Sequence, residues 1–172
     1  MDCVLRKWRL ADKERLAKIL NNKQILDNLR DGLPYPYTVK DAQEFIAAMQ
    51  AADKTQTIAF AITAQDGVIG SISVSRCSNI HSRTGELGYY LGEPYWGKGF
   101  ATSAVRQICA YVFEHTDILR IFAEPFAYNA ASCRVLEKAG FQLEGTLRCN
   151  AVKNGKVLDM KLYARIKESA AR

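Results

Sequence analysis

Apolar and polar positions change their period several times along this chain, and each change marks an element. Residues 3–9 alternate, with Val4, Leu5 and Trp8 apolar, and predict a first strand. From Asp12 the period lengthens: Leu16, Ile19 and Leu20 share one face of a helix, which a further turn, Gln24 to Leu29, continues. Asp31-Gly32-Leu33-Pro34-Tyr35-Pro36-Tyr37 is excluded from helix, because two prolines restrict its backbone. Thr38 as N-cap and Asp41 in the first turn open a second helix striped by Phe45, Ile46 and Met49. Thr55 to Thr63 and Val68 to Cys77 are rich in β-branched residues and flank Gln65-Asp66-Gly67, a hairpin signal. A third strand covers Thr84 to Leu91. The helix at 100–114 turns Ala104, Ile108, Tyr111 and Val112 inward. Leu119 to Glu124 reads as a strand, and Asn129 to Lys138 as a helix stopped by Gly140. Phe141–Val152 and Lys156–Ile166 form a closing hairpin at Asn154-Gly155.

The order is β-α-α-β-β-β-α-β-α-β-β, with no repeat, low-complexity stretch or linker. That predicts one α/β domain over residues 1–172, a mixed sheet with helices on both faces. Composition agrees: 48% hydrophobic residues in 172 can fill one substantial core. The net charge of +6 favours acidic ligands only weakly, and no basic run is interleaved with aromatics, so no nucleic-acid partner is expected. Cysteines stand at 3, 77, 109, 133 and 149. None has zinc-site or Cys-x-x-Cys spacing, so we expect no metal, and reduced, mostly buried thiols of a cytoplasmic protein. Arg6, Lys7 and Arg9 lie in an alternating segment with no long apolar run behind, so no signal peptide or membrane span is expected.

The segment with the most chemical content is Gly88-Tyr89-Tyr90-Leu91-Gly92-Glu93-Pro94-Tyr95-Trp96-Gly97-Lys98-Gly99-Phe100-Ala101-Thr102. A strand leads through a bend to two glycines and then to a helix start. Glycines let backbone approach a ligand, and a helix start offers unpaired N–H groups, so a pyrophosphate cradle is expected. Thr102 stands where a dinucleotide fingerprint needs its third glycine, and Gly99 follows Gly97-Lys98 where a Walker loop needs Ser or Thr. Both nucleotide motifs fail. A tight turn with no ligand is the plain alternative.

With the element order, Trp96-Gly97-Lys98-Gly99-Phe100-Ala101 resembles the pyrophosphate loop of the GNAT family of N-acetyltransferases, Gln/Arg-x-x-Gly-x-Gly/Ala. Gly99 and Ala101 match its last two fixed positions, and Trp96 replaces Gln/Arg. That replacement, the stretch Asn129-Ala130-Ala131-Ser132-Cys133-Arg134-Val135-Leu136-Glu137-Lys138-Ala139-Gly140-Phe141, and Leu143-Glu144-Gly145 followed by the Asn154-Gly155 turn and Asp159 are similar to the branch of ribosomal-protein N-terminal-alanine acetyltransferases and their relatives. The resemblance covers essentially the whole chain. It implies a mostly antiparallel sheet and acetyl-CoA as co-substrate. Backbone N–H groups from Gly97 to Thr102 would hold the pyrophosphate, with Trp96, Lys98, Phe100 and Ala101 in the same loop. Lys98 adds charge there or is simply solvated. The pantetheine arm would pair, sheet-like, with the edge of the strand from Glu86 to Leu91, and with Asn129, which is also an ordinary helix cap.

Acetyl transfer to an amine needs a neutral nitrogen and a protonated leaving thiolate. The resemblance makes Glu86, ten residues before Trp96, the candidate base. Its plain reading is an exposed strand carboxylate with a cationic neighbour. Many relatives use a tyrosine seven residues after the asparagine as general acid; here that residue is Leu136. Ser132 is left to position the sulfur or a water. Cys133 has no histidine nearby in sequence and reads as structural. Tyr35 and Tyr37 either wall an acceptor cleft or pack on the sheet edge. Tyr128 and Asp159 are further acceptor-side candidates, Asp159 for a substrate cation. The acceptor is expected to be a protein N-terminus. A small amine (polyamine, amino acid or antibiotic) and a non-catalytic CoA-binding module are the alternatives, and a homodimer stays open.

Overall fold

The computed structural model describes residues 2–65 and 67–170. Its strands are β1 (Val4–Arg6), β2 (Thr57–Ala64), β3 (Gly67–Arg76), β4 (Thr84–Leu91), β5 (Arg120–Ala123), β6 (Gln142–Lys153) and β7 (Lys156–Ile166). They form one sheet in the order β1-β2-β3-β4-β5-β7-β6. Every neighbouring pair is antiparallel except β4 with β5. The helices are α1 (Lys13–Leu20), α2 (Lys23–Leu26), α3 (Val39–Ala51), α4 (Phe100–His115) and α5 (Ala130–Lys138).

Strand residues alternate between faces, so Ala61 and Ile62 belong to different cores. Ala61 and Val68 pack with Trp8, Leu16, Leu20, Ile25 and Ile46, the side covered by α1–α3. Ile62, Ile72, Leu87 and Leu91 pack with Ala104, Ile108, Val112 and Leu136, the side covered by α4 and α5. Each buried Val, Leu or Ile among them contributes about 1.5–3 kcal/mol by leaving water. Helices therefore lie on both faces, as the pattern predicts.

Local chemistry explains most boundaries. Thr38 Oγ1 accepts from Asp41 N at 3.2 Å and the Asp41 carboxylate accepts from Thr38 N at 2.7 Å, a reciprocal cap that starts α3. Asn154 and Gly155 take φ of 50° and 74°, the two left-handed positions of a tight hairpin turn between β6 and β7. At the β2–β3 turn, Asp66 lies outside the described residues.

Three expectations change. The first strand keeps only Val4–Arg6. α1 does open at Asp12, its N-cap position, but the Asp12 side chain makes no cap bond; its carboxylate takes two bonds from Arg6 at 2.8 Å and one from Arg9 N at 2.9 Å. Burial opposes its ionisation, but these donors overcome it and hold the carboxyl below the usual carboxylate range. The first helix does not continue: Asn21 leaves helical backbone, and Asn22 caps α2 by accepting from Gln24 N at 2.9 Å. Tyr111 is 41% exposed, because Ala104, Ile108 and Val112 recur every four residues and Tyr111 falls at the edge of that stripe. All five cysteines are free thiols; Cys3, Cys109 and Cys133 are buried, and Cys149 is exposed. Among the described residues, no helix is long and apolar enough to cross a membrane.

One feature of the sheet creates a site. The parallel pair β4–β5 runs only from Thr84–Arg120 to Glu86–Phe122. β5 ends at Ala123, so from Leu87 to Leu91 that edge of β4 has no strand partner among the described residues. The sheet splays open there.

Candidate active site

Two adjoining cavities, about 440 Å³ and about 280 Å³, occupy the splay. Asn28, Leu29, Tyr89, Pro125 and Ser132 line both, so the cavities are two lobes of one groove.

The larger lobe is framed by the glycine loop. Gly97 and Gly99 have φ of 71° and 86°, left-handed values that cost a residue with a Cβ about 1–2 kcal/mol each. These turns bring the chain round to α4, with Gly99 as its N-cap. Among the described residues, no acceptor takes the N–H groups from Gly97 to Thr102. They form a set of unpaired donors at the positive end of a sixteen-residue helix. Trp96 donates its indole N–H to Leu91 O at 2.8 Å, pinning the loop to the unpaired edge of β4. Leu91, Trp96, Gly97, Gly99, Phe100, Ala101 and Thr102 all line this lobe; Lys98 is exposed and does not. Asn129 lines it too, and caps α5 by accepting from Ser132 N at 3.1 Å.

The lobes meet at a hydroxyl pair. Tyr89 Oη lies 2.8 Å from Ser132 Oγ and 3.3 Å from Ser132 O. Burial pushes the Tyr89 phenol up to about 12, so it keeps its proton at neutral pH.

The smaller lobe is built from side chains. Glu86 of β4 and Glu124, just past β5, both line it, with Ser73 and Ser75 of β3 beside them. Arg30, from the segment after α2, donates to the Glu86 carboxylate, and its Nη2 lies 3.7 Å from a Glu124 oxygen. Glu86 thus has the cationic neighbour of its plain reading while also facing the cavity. Leu136 lines this lobe as well.

Four acceptor-side expectations fall outside both lobes. Tyr37 is a core residue, 2% exposed, packed in the α1–α3 core. Asn21 holds its backbone, with Tyr37 N donating at 3.0 Å and Asn21 Nδ2 donating to Tyr37 O at 2.5 Å. It does not wall the cleft. Tyr35 is exposed and lines neither lobe. Tyr128 stacks on Phe126 at 5.6 Å and donates to Asp27 O at 3.3 Å, on the rim. The Asp159 carboxylate accepts from Cys149 N at 2.8 Å, across an irregularity of the β6–β7 ladder where Cys149 takes φ 53°. Its local task is to hold that bulge.

Residues 2–142 match the model of the acetyltransferase (GNAT) domain. The chain belongs to the GNAT acetyltransferase family. This acetyltransferase is 35% identical over 131 residues to the "Probable N-acetyltransferase YjcK" of Bacillus subtilis, covering 74% of this chain and 72% of that one. It is 32% identical over 110 residues to the ribosomal-protein-serine acetyltransferase of Escherichia coli, covering 64% and 61%. Its fold matches a solved ribosomal alpha-N-protein acetyltransferase in complex with coenzyme A, with a TM-score of 0.84, 23% identity, and coverage of 96% and 94%.

Sequence reasoning missed Tyr89, Arg30 and Glu124 in this acetyltransferase. Tyr89 carried a signal: on an alternating strand it sits three residues after Glu86, hence on the opposite face, toward α5. Arg30 and Glu124 carried none, being 94 positions apart in sequence.

Proposed function

We propose that this N-acetyltransferase transfers the acetyl group of acetyl-CoA to the N-terminal α-amine of a protein, in the cytoplasm, by direct attack within a ternary complex. The observation that carries the reading is the meeting of the lobes: a cradle of unpaired N–H groups reaches, through one groove, a hydroxyl pair and a carboxylate. N–H groups from Gly97 to Thr102 suit the CoA pyrophosphate. The unpaired edge of β4 from Leu87 to Leu91 suits the amide groups of the pantetheine arm, with Asn129 beside it. The bound thioester supplies an activated acetyl group, and the chain's residues do the rest. Glu86 takes a proton from the attacking nitrogen, directly or through water. Tyr89, which stays protonated, donates a hydrogen bond to Ser132 Oγ and so aims the Ser132 O–H at the departing thiolate, which it stabilises by a hydrogen bond while the sulfur takes its proton from water.

The modest proton-transfer equipment favours an α-amine. At a pKa near ~8 roughly a tenth is already neutral at pH 7, whereas a lysine amine near ~10.4 is less than about 0.1% neutral. The relationship to the ribosomal-protein-serine acetyltransferase points the same way. A second reading, a small cationic amine as acceptor, is favoured by one observation: two carboxylates, Glu86 and Glu124, line the acceptor lobe. Thiol release from acetyl-CoA with alanyl and seryl peptides, an Nα-blocked lysyl peptide and spermidine tests both. Fastest release with the free N-termini is expected. Faster lysine acetylation overturns the first reading, spermidine as best substrate establishes the second, and CoA binding without release by any amine returns the chain to a binding module.

A further inference from the structure

We infer that Glu86 and Glu124 form the seat of the acceptor's ammonium group, and that Arg30 is an internal occupant which the acceptor must displace. The inference deepens the acetyl-transfer reading of the groove, on which its kinetic part rests.

The geometry is that of a cation held between two carboxylates. Glu86 and Glu124 come from either side of the opening between β4 and β5, and one guanidinium reaches both. Around them the lobe is polar and open. Ser75 and Ser73 stand opposite Glu86 and Gly88 in the β3–β4 register, and a Cβ on Gly88 would meet nothing within 4 Å. There is room for a small group beside the carboxylates.

Arg30 is placed to come and go. Its side chain is 64% exposed, and exposed ion pairs are weak. The side chains flanking it on both sides are tethered instead. Lys153 Nζ pairs with Asp31 at 2.8 Å, and Asn154 Nδ2 donates to Asp27 Oδ1 at 3.0 Å, both from the tip of the β6–β7 hairpin. Asn129 Nδ2 donates to Asn28 Oδ1 at 3.3 Å. The segment stays in place while its guanidinium swings clear.

Two consequences follow from charge. An ammonium replacing the guanidinium leaves the net charge of the seat unchanged, so a peptide N-terminus or simple amine is accepted. A free amino acid brings its own carboxylate beside Glu86 and Glu124 and is repelled. Until the acceptor arrives, Glu86 is committed to Arg30 and is unavailable to activate water against a bound thioester.

The test uses the full chain and two readouts. Methylguanidinium is titrated against ¹⁵N-labelled wild type and Arg30→Ala, followed at the Glu86 and Glu124 amides. Saturable shifts are expected in Arg30→Ala, weakly in wild type, and not in Arg30→Ala/Glu124→Gln; equal binding by wild type and Arg30→Ala overturns the seat. In steady-state kinetics, Arg30→Ala and Arg30→Gln are expected to lower the KM of alaninamide about fivefold, since removing the occupant raises the competent fraction. Wild type should use free alanine far less well than alaninamide. A raised KM for alaninamide, or equal use of alanine, overturns the displacement. If no amine supports thiol release while methylguanidinium still fills the vacated seat, the functional reading fails and the seat stands.

Discussion

The larger lobe of the groove offers a ligand backbone N–H groups, fixed by two left-handed glycines and a helix start within residues 97–102, whereas the smaller lobe offers polar and charged side chains gathered from β3, β4, the end of β5 and the segment after α2. The first is a property of one short stretch of chain and survives many changes elsewhere. The second exists only when the sheet is folded and splayed. The contrast separates a lobe whose offer is fixed by the backbone of one loop from a lobe that can be remade side chain by side chain.

The strongest way to break this division is at Glu86. Glu86→Gln should lower kcat about 100-fold, the usual worth of a positioned base, with the KM of acetyl-CoA nearly unchanged. Steady-state kinetics with both substrates varied will show it; an equal rise in the KM of acetyl-CoA would mean that the lobes are not separate. Next is Gly99→Val. A β-branched residue at φ 86° is strained and reshapes the loop, so the KM of acetyl-CoA should rise about ten- to thirtyfold while the acceptor's KM holds. At the border, Tyr89→Phe removes one neutral hydrogen bond and should cost about fivefold in kcat, moving neither KM strongly.

The smallest effect tests whether the comparison is confined to the groove. Asp12→Asn, in the α1–α3 half, should leave both KM values alone and lower stability by about 1 kcal/mol, seen as a drop of about 2–4 °C in Tm. The Asp12 carboxyl is held below its unfolded value of ~3.9, so its contribution is complete above that pH and is lost as pH falls through the lower folded value. The stability gap between wild type and Asp12→Asn should therefore narrow below about pH 4 in denaturation series. A gap that is unchanged down to pH 2 would remove the Arg6–Asp12 pair as its source.

The same division explains what was legible in the sequence. Trp96 to Thr102 and Asn129 to Ser132 could be read because local motifs place them, and local caps and turns fixed α3 and the last hairpin. Arg30, Ser73, Ser75 and Glu124 could not, since only the β3–β4 register and the early end of β5 bring them together. Tyr37 misled for a related reason. A proline-flanked tyrosine looks like a cleft wall, but Asn21, freed by the break between α1 and α2, fastens it into the core. That break was itself legible: Asn22, two residues before Gln24, is a good N-cap.

β4 pairs with β3 from Gly70–Leu91 to Arg76–Gly85 without a bulge, and its pleat puts Glu86 and Tyr89 on opposite faces. The proposed amine contacts and the Tyr89–Ser132 hydroxyl pair thereby lie on two sides of one rigid ribbon. Point changes on the Ser73–Ser75 side can retune the amine without disturbing Tyr89 and Ser132, but a single inserted residue would turn both sides over at once. Under the proposed function, a lineage can change its amine by substitution and keep the hydroxyl pair; it cannot do so by changing the length of this strand.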